Sequence, residues 1–205
     1  MTTQDRILVL GIGNILWADE GFGVRAAERL RDGWSLPPRV TVMDGGTQGL
    51  YLLPHLEAAD ALVVLDAIDY GLEPGTLRVL RDGDVPAFLG AKKMSLHQTG
   101  FQEVLATAAL LGRCPRRLVL VGVQPQTLDD YGGGLTAVVA ARVEPAVALV
   151  LDLLAREFGA VATARAAAPA AEPDPVSRTA YEGGRPSAEA ACRIGDPRVL
   201  ATLAG

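Results

Sequence analysis

Ile7-Leu8-Val9-Leu10-Gly11 is a continuous apolar run that ends in glycine near the start of the 205-residue chain. A strand at the centre of a parallel sheet is covered on both faces, so its sequence is apolar throughout rather than alternating. Two later runs have the same character, namely 61–65, which precedes Asp66, and 118–123. These runs predict the central strands of a parallel sheet.

Two weaker strands and several helices complete the pattern. Residues 40–44 predict a fourth strand, and the shorter, alternating run 77–80 predicts a fifth at an edge. Helical spacing and capping signals predict helices over about 20–32, 50–57, 99–111 and 145–158, with Thr99 and Pro145 at the starts of the last two and Thr136 capping a short turn. The predicted fold class is α/β with three layers, a mostly parallel twisted sheet of about five strands between helices, phosphorylase/hydrolase-like.

Composition and charge exclude several functional classes. Hydrophobic residues make up 49% of the chain, charged residues 21%, and the net charge is −5. A mildly acidic chain without a basic stripe is a poor partner for nucleic acid. No apolar run reaches the roughly 18 residues of a membrane span, and no signal-peptide pattern is present at the start. We therefore expect a cytoplasmic protein that binds neither nucleic acid nor membranes.

The composition changes after Gly159. Residues 160–176 are largely Ala and Pro, and 177–205 show no sustained periodicity. We expect one domain over 1–159 and a flexible extension over 160–205. The only helical piece that the sequence of this extension suggests is near 197–203.

Acidic and histidine side chains follow the predicted strands. Glu20 lies after the first strand, Asp44 and Asp66 each end a strand, and His97 precedes a helix. Ligands of parallel sheets bind beyond the carboxyl ends of the strands, so these side chains should meet at one rim. The two carboxylates of Glu20 and Asp66 with one imidazole suit zinc, nickel or a similar ion, and three protein ligands leave a position open for water or substrate.

Each of these residues also has an ordinary structural role, which the sequence leaves open. Glu20 and its neighbour Asp19 suit a helix N-terminus. Asp44 and Asp66 suit turns after strands, and His97 can be a hydrogen-bonded loop histidine.

Two other chemistries have weaker support. Gly11-x-Gly13 after a strand is typical of dinucleotide-binding loops, but that fingerprint requires a glycine where this chain has Leu16. A serine or cysteine nucleophile is little supported, because Ser95 lacks a Gly-x-Ser-x-Gly elbow and Cys114 has no obvious base. A nucleotide-binding α/β enzyme remains the weaker alternative.

Five short motifs in this order resemble the hydrogenase maturation endopeptidase family. They lie within about residues 6–158 and read Val9-Leu-Gly-Ile-Gly-Asn14, Asp19-Glu-Gly-Phe-Gly-Val24, Asp44-Gly-Gly-Thr-Gln-Gly49, Val64-Leu-Asp-Ala-Ile-Asp69 and Ser95-Leu-His-Gln-Thr99. The resemblance implies an endopeptidase that removes the C-terminal extension of a [NiFe]-hydrogenase large-subunit precursor after nickel insertion. A nickel-binding accessory protein that docks on the precursor without cutting it is the alternative.

The resemblance also implies roles for particular residues. Glu20, Asp66 and His97 are expected to bind a divalent metal, with nickel favoured and supplied by the substrate itself in one version of the scheme. Asp44 is expected to be a further essential acid, either a base or a residue that orients the substrate. The loop after it is expected to lie against the substrate backbone, through Gly45, Gly46 and Thr47.

Overall fold

The computed structural model of the chain describes residues 4–86, 96–128, 131–166 and 177–184, with the backbone alone described at 96–99 and 179. The chain divides into two compact units, Met1–Ala167 and Ala168–Gly205. In the described residues we find no helix with the length and apolar character that crossing a membrane requires.

Seven strands lie in the described part of the first unit. They are β1 (Ile7–Ile12), β2 (Trp34–Ser35), β3 (Val40–Gly46), β4 (Ala61–Ala67), β5 (Leu77–Arg81), β6 (Arg117–Val123) and β7 (Thr163–Ala164). Five form the main sheet in the order β3-β1-β4-β6-β5, in which only the β5–β6 pair is antiparallel. The prediction of a mostly parallel five-stranded sheet is confirmed.

Helices cover both faces of this sheet. In chain order they are a 3-10 helix (Ala18–Gly21), α1 (Phe22–Gly33), a second 3-10 helix (Gly49–Leu52), α2 (Leu53–Glu57), α3 (Leu96–Leu110), α4 (Ala137–Ala140) and α5 (Val143–Phe158). One face of β4, with Val63 and Leu65, packs against α1 and α5. The other face, with Leu62 and Val64, packs against α2 and α3. The three predicted layers are thus confirmed.

Two helices begin earlier than their sequence signals predicted. The helix α3 begins at Leu96, so Thr99 lies in its first turn rather than at its N-cap. The helix α5 begins at Val143, so Pro145 is its third residue rather than its first. Amide groups of a first turn have no intrahelical acceptor, and proline is therefore tolerated there without the loss of a hydrogen bond.

Ordered structure continues beyond Gly159 in the first unit. Gly159 ends α5 in a left-handed conformation with φ 62°. Ala160 is buried, and β7 pairs with β2 in a small antiparallel sheet. In the second unit, the described helix is α6 (Arg178–Gly184). The helix predicted near 197–203 lies outside the described residues, and the flexibility of the extension stays a prediction.

Candidate active site

Two glycines let the segment that carries Glu20 lie directly on the ends of β1 and β4. A Cβ atom on Gly13 would lie 1.9 Å from the carbonyl oxygen of Glu20, and one on Gly23 would lie 2.1 Å from that of Leu65. No side chain fits at such distances, so both positions require glycine. The backbone of Glu20 is therefore fixed beside β1, and the start of α1 is fixed beside the residue that precedes Asp66.

Glu20 and Asp66 are both buried. Glu20 is 9% exposed and Asp66 is fully inaccessible. The 3-10 helix that carries Glu20 contacts β4, whose carboxyl end carries Asp66. Asp66 Oδ1 accepts a hydrogen bond from the amide of Ala67 at 2.8 Å. Carboxylate oxygens are ligands that divalent cations accept, and here two such groups are buried on segments in contact. The pair therefore fits a cation site.

Asp66 lies on the sheet face that α3 covers. It follows Leu62 and Val64 at alternating positions of β4, and both of those residues pack with α3. The N-terminal end of α3 reaches the same rim, because a Cβ atom on Gly100 would lie 3.8 Å from the Cα atom of Gly49. The backbone of His97 is in the first turn of this helix.

Only two of the three predicted metal ligands have side chains that the structure describes. The side chain of His97 lies outside the described residues, and among the described residues no three His, Cys, Asp or Glu side chains are grouped to hold an ion. Binding by Glu20, Asp66 and His97 together therefore stays a prediction. The mixed set of two carboxylates and one imidazole has the donor chemistry that nickel accepts.

Asp44 ends β3 at the same rim but is exposed. Asp44 is two residues after Val42, so both lie on the same face of β3, the face that packs against α1. Asp66 lies on the opposite face of the sheet, towards α3. The charges around Arg31 agree with this orientation. The hydrogen bond that Arg31 donates to Asp32 and, more weakly, nearby charges that include Asp44 raise the pKa of this α1 arginine. Asp44 is thus accessible to a substrate rather than buried beside Asp66.

The loop after Asp44 is shaped by a break in the strand register. Gly11 pairs with Asp44, but Ile12 pairs with Gly46, so Gly45 is the extra residue of a bulge. Gly45 is buried, and a Cβ atom there would lie 2.7 Å from Leu10 Cδ1. Packing therefore accounts for that glycine. The other two residues predicted to contact the substrate are more accessible: half-buried Gly46 and exposed Thr47.

Asp19 directly precedes Glu20, but the sequence predicted only a helix-start role for it and no part in the site. It is fully buried. Its Oδ2 accepts hydrogen bonds from the amides of Gln126 and Thr127 at 2.8 and 3.1 Å and from the hydroxyl of Thr136 at 3.1 Å. Its Oδ1 accepts the Thr136 amide at 2.8 Å. Asp19 thus fastens the loop between β6 and α4 to the segment that carries Glu20.

Tyr70 is the second unpredicted residue near the site. A Cβ atom on Gly122 would lie 2.0 Å from Tyr70 Oη, and Gly122 is the neighbour of Asp66 on β6. The amide of Tyr70 donates to Gln124 Oε1 at 2.7 Å, which fixes the loop after β4. Burial, and secondly the charge of Asp66, raise the pKa of Tyr70. A protonated phenol is therefore held beside the end of β4.

Comparison with known proteins identifies the family. A profile of the hydrogenase maturation protease family, HycI, matches residues 24–153. The chain belongs to this family. The hydrogenase expression/formation protein HupD of Rhodobacter capsulatus is 57% identical over 201 residues, which cover 98% of this chain and 95% of HupD. The hydrogenase 2 maturation protease of Escherichia coli (strain K12) is 46% identical over 163 residues, covering 79% of this chain and 98% of its own length.

The solved structures of hydrogenase maturation proteases confirm the fold. The E. coli hydrogenase maturating endopeptidase HybD superposes with a TM-score of 0.73 at 45% identity. The superposition covers 78% of this chain and 98% of HybD. The resemblance inferred from the five motifs is therefore confirmed, and the family is one of endopeptidases.

The glycines that suggested a dinucleotide loop have a packing role in this protease. A Cβ atom on Gly11 would lie 2.3 Å from the carbonyl oxygen of Gly23, and Gly13 faces Glu20 in the same way. The helix α1 begins only at Phe22, well after the motif. The glycines thus admit the chain's own backbone, and the nucleotide-binding alternative loses its basis.

The cysteine alternative also loses support. Cys114 precedes β6, so it lies towards the amino end of that parallel strand and away from the rim that carries Glu20 and Asp66. Burial raises the pKa of its thiol, which lowers the thiolate fraction at neutral pH. Cys114 is therefore unsuited to act as the nucleophile of this protease.

Proposed function

We propose that this protease removes the C-terminal extension of a [NiFe]-hydrogenase large-subunit precursor after nickel insertion. One observation carries the proposal beyond family membership. Two buried carboxylates, Glu20 and Asp66, lie on contacting segments at the carboxyl rim of the sheet, the rim that the N-terminal end of α3, with His97 in its first turn, also reaches. This arrangement supports a site that receives a cation presented by the substrate.

Nickel is the part of the substrate that this site would recognise. Glu20, Asp66 and His97 would bind the precursor's nickel, and the extension would be cut only when the metal is present. When bound, the ion can polarise a peptide carbonyl or activate a water molecule. The chain's own contribution is to hold both carboxylates in fixed positions, because Gly13 and Gly23 lock the segment between them onto the sheet.

Asp44 would orient the substrate backbone rather than act within the cation site. Its carboxylate is exposed and lies on the opposite face of the sheet from Asp66. A carboxylate in this position can accept hydrogen bonds from the amides of an extended peptide. Gly46 and Thr47, which follow it in the same loop, are open to contact with that peptide.

The test is an intact-mass measurement on purified precursor, with and without nickel. Wild-type protein should reduce the mass of nickel-loaded precursor by one defined extension and leave nickel-free precursor unchanged. Glu20→Gln and Asp66→Asn should abolish the change, whereas Asp152→Asn, on the exposed face of α5, should not. Unchanged mass of both precursors would leave only the non-cleaving accessory role, and equal cutting of both would refute recognition through nickel.

A further inference from the structure

Exposed apolar side chains are concentrated around the site. Among the described residues, seven of the eleven large hydrophobic side chains that are exposed lie in the segments that follow strands at the carboxyl rim of the sheet, and six of them lie in the segments after β1, β3 and β6. We call this set the apolar rim: Ile15, Leu16, Trp17, Leu50, Tyr51 and Tyr131. Tyr51 is 84% exposed and Leu50 is 55% exposed. Single exposed apolar residues are common, but a cluster beside a site marks an interaction surface.

The loops of the apolar rim are joined to one another. The loop after β1 is tied to the loop after β3 by a hydrogen bond from the Gly13 amide to the Gly46 carbonyl at 3.1 Å. Trp17 and Tyr131 form a backbone bridge, and their rings meet edge to face with centroids 5.2 Å apart. The segments that carry these side chains are therefore linked to one another at the rim.

The apolar rim is also held in a fixed conformation. Ala18 has a positive φ of 42°, rare for a residue with a side chain, and its amide donates to the Gly133 carbonyl at 3.1 Å. The carboxylate of Asp19 fastens the same loops. Leu50 and Tyr51 lie in a 3-10 helix whose last residue, Leu52, is buried. A preordered surface loses little conformational entropy on binding, which favours its use for recognition.

The charge of the rim loops indicates the chemistry of the partner. Residues 11–21, 44–53, 66–76 and 124–136 contain no lysine or arginine, although the chain has 19 of these residues. In the described parts of these segments three acids are exposed, Asp44, Asp69 and Glu73, whereas Asp19, Glu20 and Asp66 are buried. Complementary charge improves both the encounter rate and the specificity of an interface. An apolar surface among acids therefore fits an apolar segment that also carries basic side chains.

We propose that the apolar rim docks the precursor polypeptide beside the cleavage site, through an apolar segment with lysine or arginine side chains. This inference rests on the proposed function and adds the region and the chemistry by which the protein substrate is held. In this scheme the cation site recognises the nickel of the substrate, and the apolar rim binds the polypeptide around it.

The test measures the dissociation constant of nickel-free precursor, which the proposed function leaves uncut. Tyr51→Ser and Tyr131→Ser should each weaken binding about tenfold, because exposed aromatic residues at interfaces carry much of the affinity. Leu110→Ser is the matched control. It is 87% exposed at the last residue of α3, away from the rim, and should bind as wild type does. Raising ionic strength should weaken wild-type binding.

The possible results separate this inference from the proposed function. Wild-type affinity in both tyrosine variants, or the same loss in Leu110→Ser, would overturn the docking proposal even if the precursor is correctly cut. Binding that strengthens with salt would overturn the basic character of the segment. A precursor that is never cut refutes the proposed function, whereas the affinities still decide the docking proposal. Surface substitutions usually change stability little, so each variant should have a thermal unfolding midpoint within about 2 °C of wild type. Such a result shows that its folding is intact.

Discussion

Asp19 accepts hydrogen bonds from both the amide and the hydroxyl group of Thr136, at 2.8 and 3.1 Å. The two residues are 117 positions apart in the chain. Thr136 is the N-cap residue of α4, but its own side chain makes no capping hydrogen bond and contacts Asp19 instead. The segment that carries Glu20 and the loop that carries Tyr131 are therefore held together by one buried carboxylate.

Replacing Asp19 should destabilise the protein strongly. Asp19→Ala leaves the amides of Gln126, Thr127 and Thr136 without their acceptor, and buried unsatisfied amides each cost about 1–3 kcal/mol. We expect a loss of about 3 kcal/mol or more in the free energy of unfolding, measured with urea. Asp32→Ala, which removes an exposed acid on α1, should change it by less than about 0.5 kcal/mol. Equal stabilities of the two variants would contradict the role given to Asp19.

Gly23→Ala should separate α1 from the sheet. The added Cβ atom would lie 2.1 Å from the carbonyl oxygen of Leu65 and 2.3 Å from that of Ile12, so the helix must shift. We expect a destabilisation of about 3 kcal/mol and a loss of nickel affinity, because Glu20 moves with the helix. Gly33→Ala on the same helix meets only the flexible end of Arg29 and should be nearly neutral. Calorimetric titration with Ni²⁺ and urea unfolding measure both effects. Wild-type affinity in Gly23→Ala would show that Glu20 does not depend on this packing.

Tyr70 should make stability fall at alkaline pH. Burial raises the pKa of this phenol above the ordinary value of about 10, so above that pH the unfolded chain loses the proton while the folded chain keeps it. The stabilisation is therefore complete below about pH 10 and declines as the pH rises towards the folded-state pKa. The free energy of unfolding, measured from pH 8 to 11, should fall less steeply with pH for Tyr70→Phe than for wild type. The same slope in wild type and Tyr70→Phe would contradict the burial of this hydroxyl, and Tyr51→Phe, at an exposed position, is the control.

Truncation after Ala167 should leave proteolysis intact. The family profile matches residues 24–153, within the first unit, and the E. coli hydrogenase 2 maturation protease matches 79% of this chain with 98% of its own length. The second compact unit, Ala168–Gly205, is therefore expected to be dispensable for peptide cleavage. Mass measurement of nickel-loaded precursor tests this, with full-length protein as the control. Loss of cutting in a truncated protein that still folds would assign the second unit a part in catalysis.

The buried strands were predictable because their environment is uniform. Residues 7–12 and 61–67 are covered on both faces, and every position in them is buried, as a continuous apolar run predicts. The edge strand β5 is half-buried at its apolar positions and exposed at Arg78 and Arg81, as its sequence indicated. The small sheet of β2 and β7 was not predictable, since two-residue strands carry no periodicity. The composition change after Gly159 also hid the short ordered stretch that follows it.

The predicted ligands of the site could be chosen from the sequence, but the residues that hold them in place could not. Glu20 and Asp66 stand after strands, where the topology of a parallel sheet places ligands. Asp19 looked like a helix-start acid, because its hydrogen-bond donors lie more than 100 positions away. Tyr70 packs on Gly122 of another strand, and no local pattern announces such a contact. Partners brought together only by tertiary structure leave no signal in the nearby sequence.

The central claim is that Glu20, Asp66 and His97 bind one shared ion. The most direct test is anomalous scattering at the nickel edge from crystals of this protein soaked with Ni²⁺. We expect a single strong peak about 2.0–2.2 Å from a carboxylate oxygen of Glu20, a carboxylate oxygen of Asp66 and a ring nitrogen of His97, and its loss in Asp66→Asn crystals. Nickel bound elsewhere, or these three side chains too far apart to share one peak, would contradict the account.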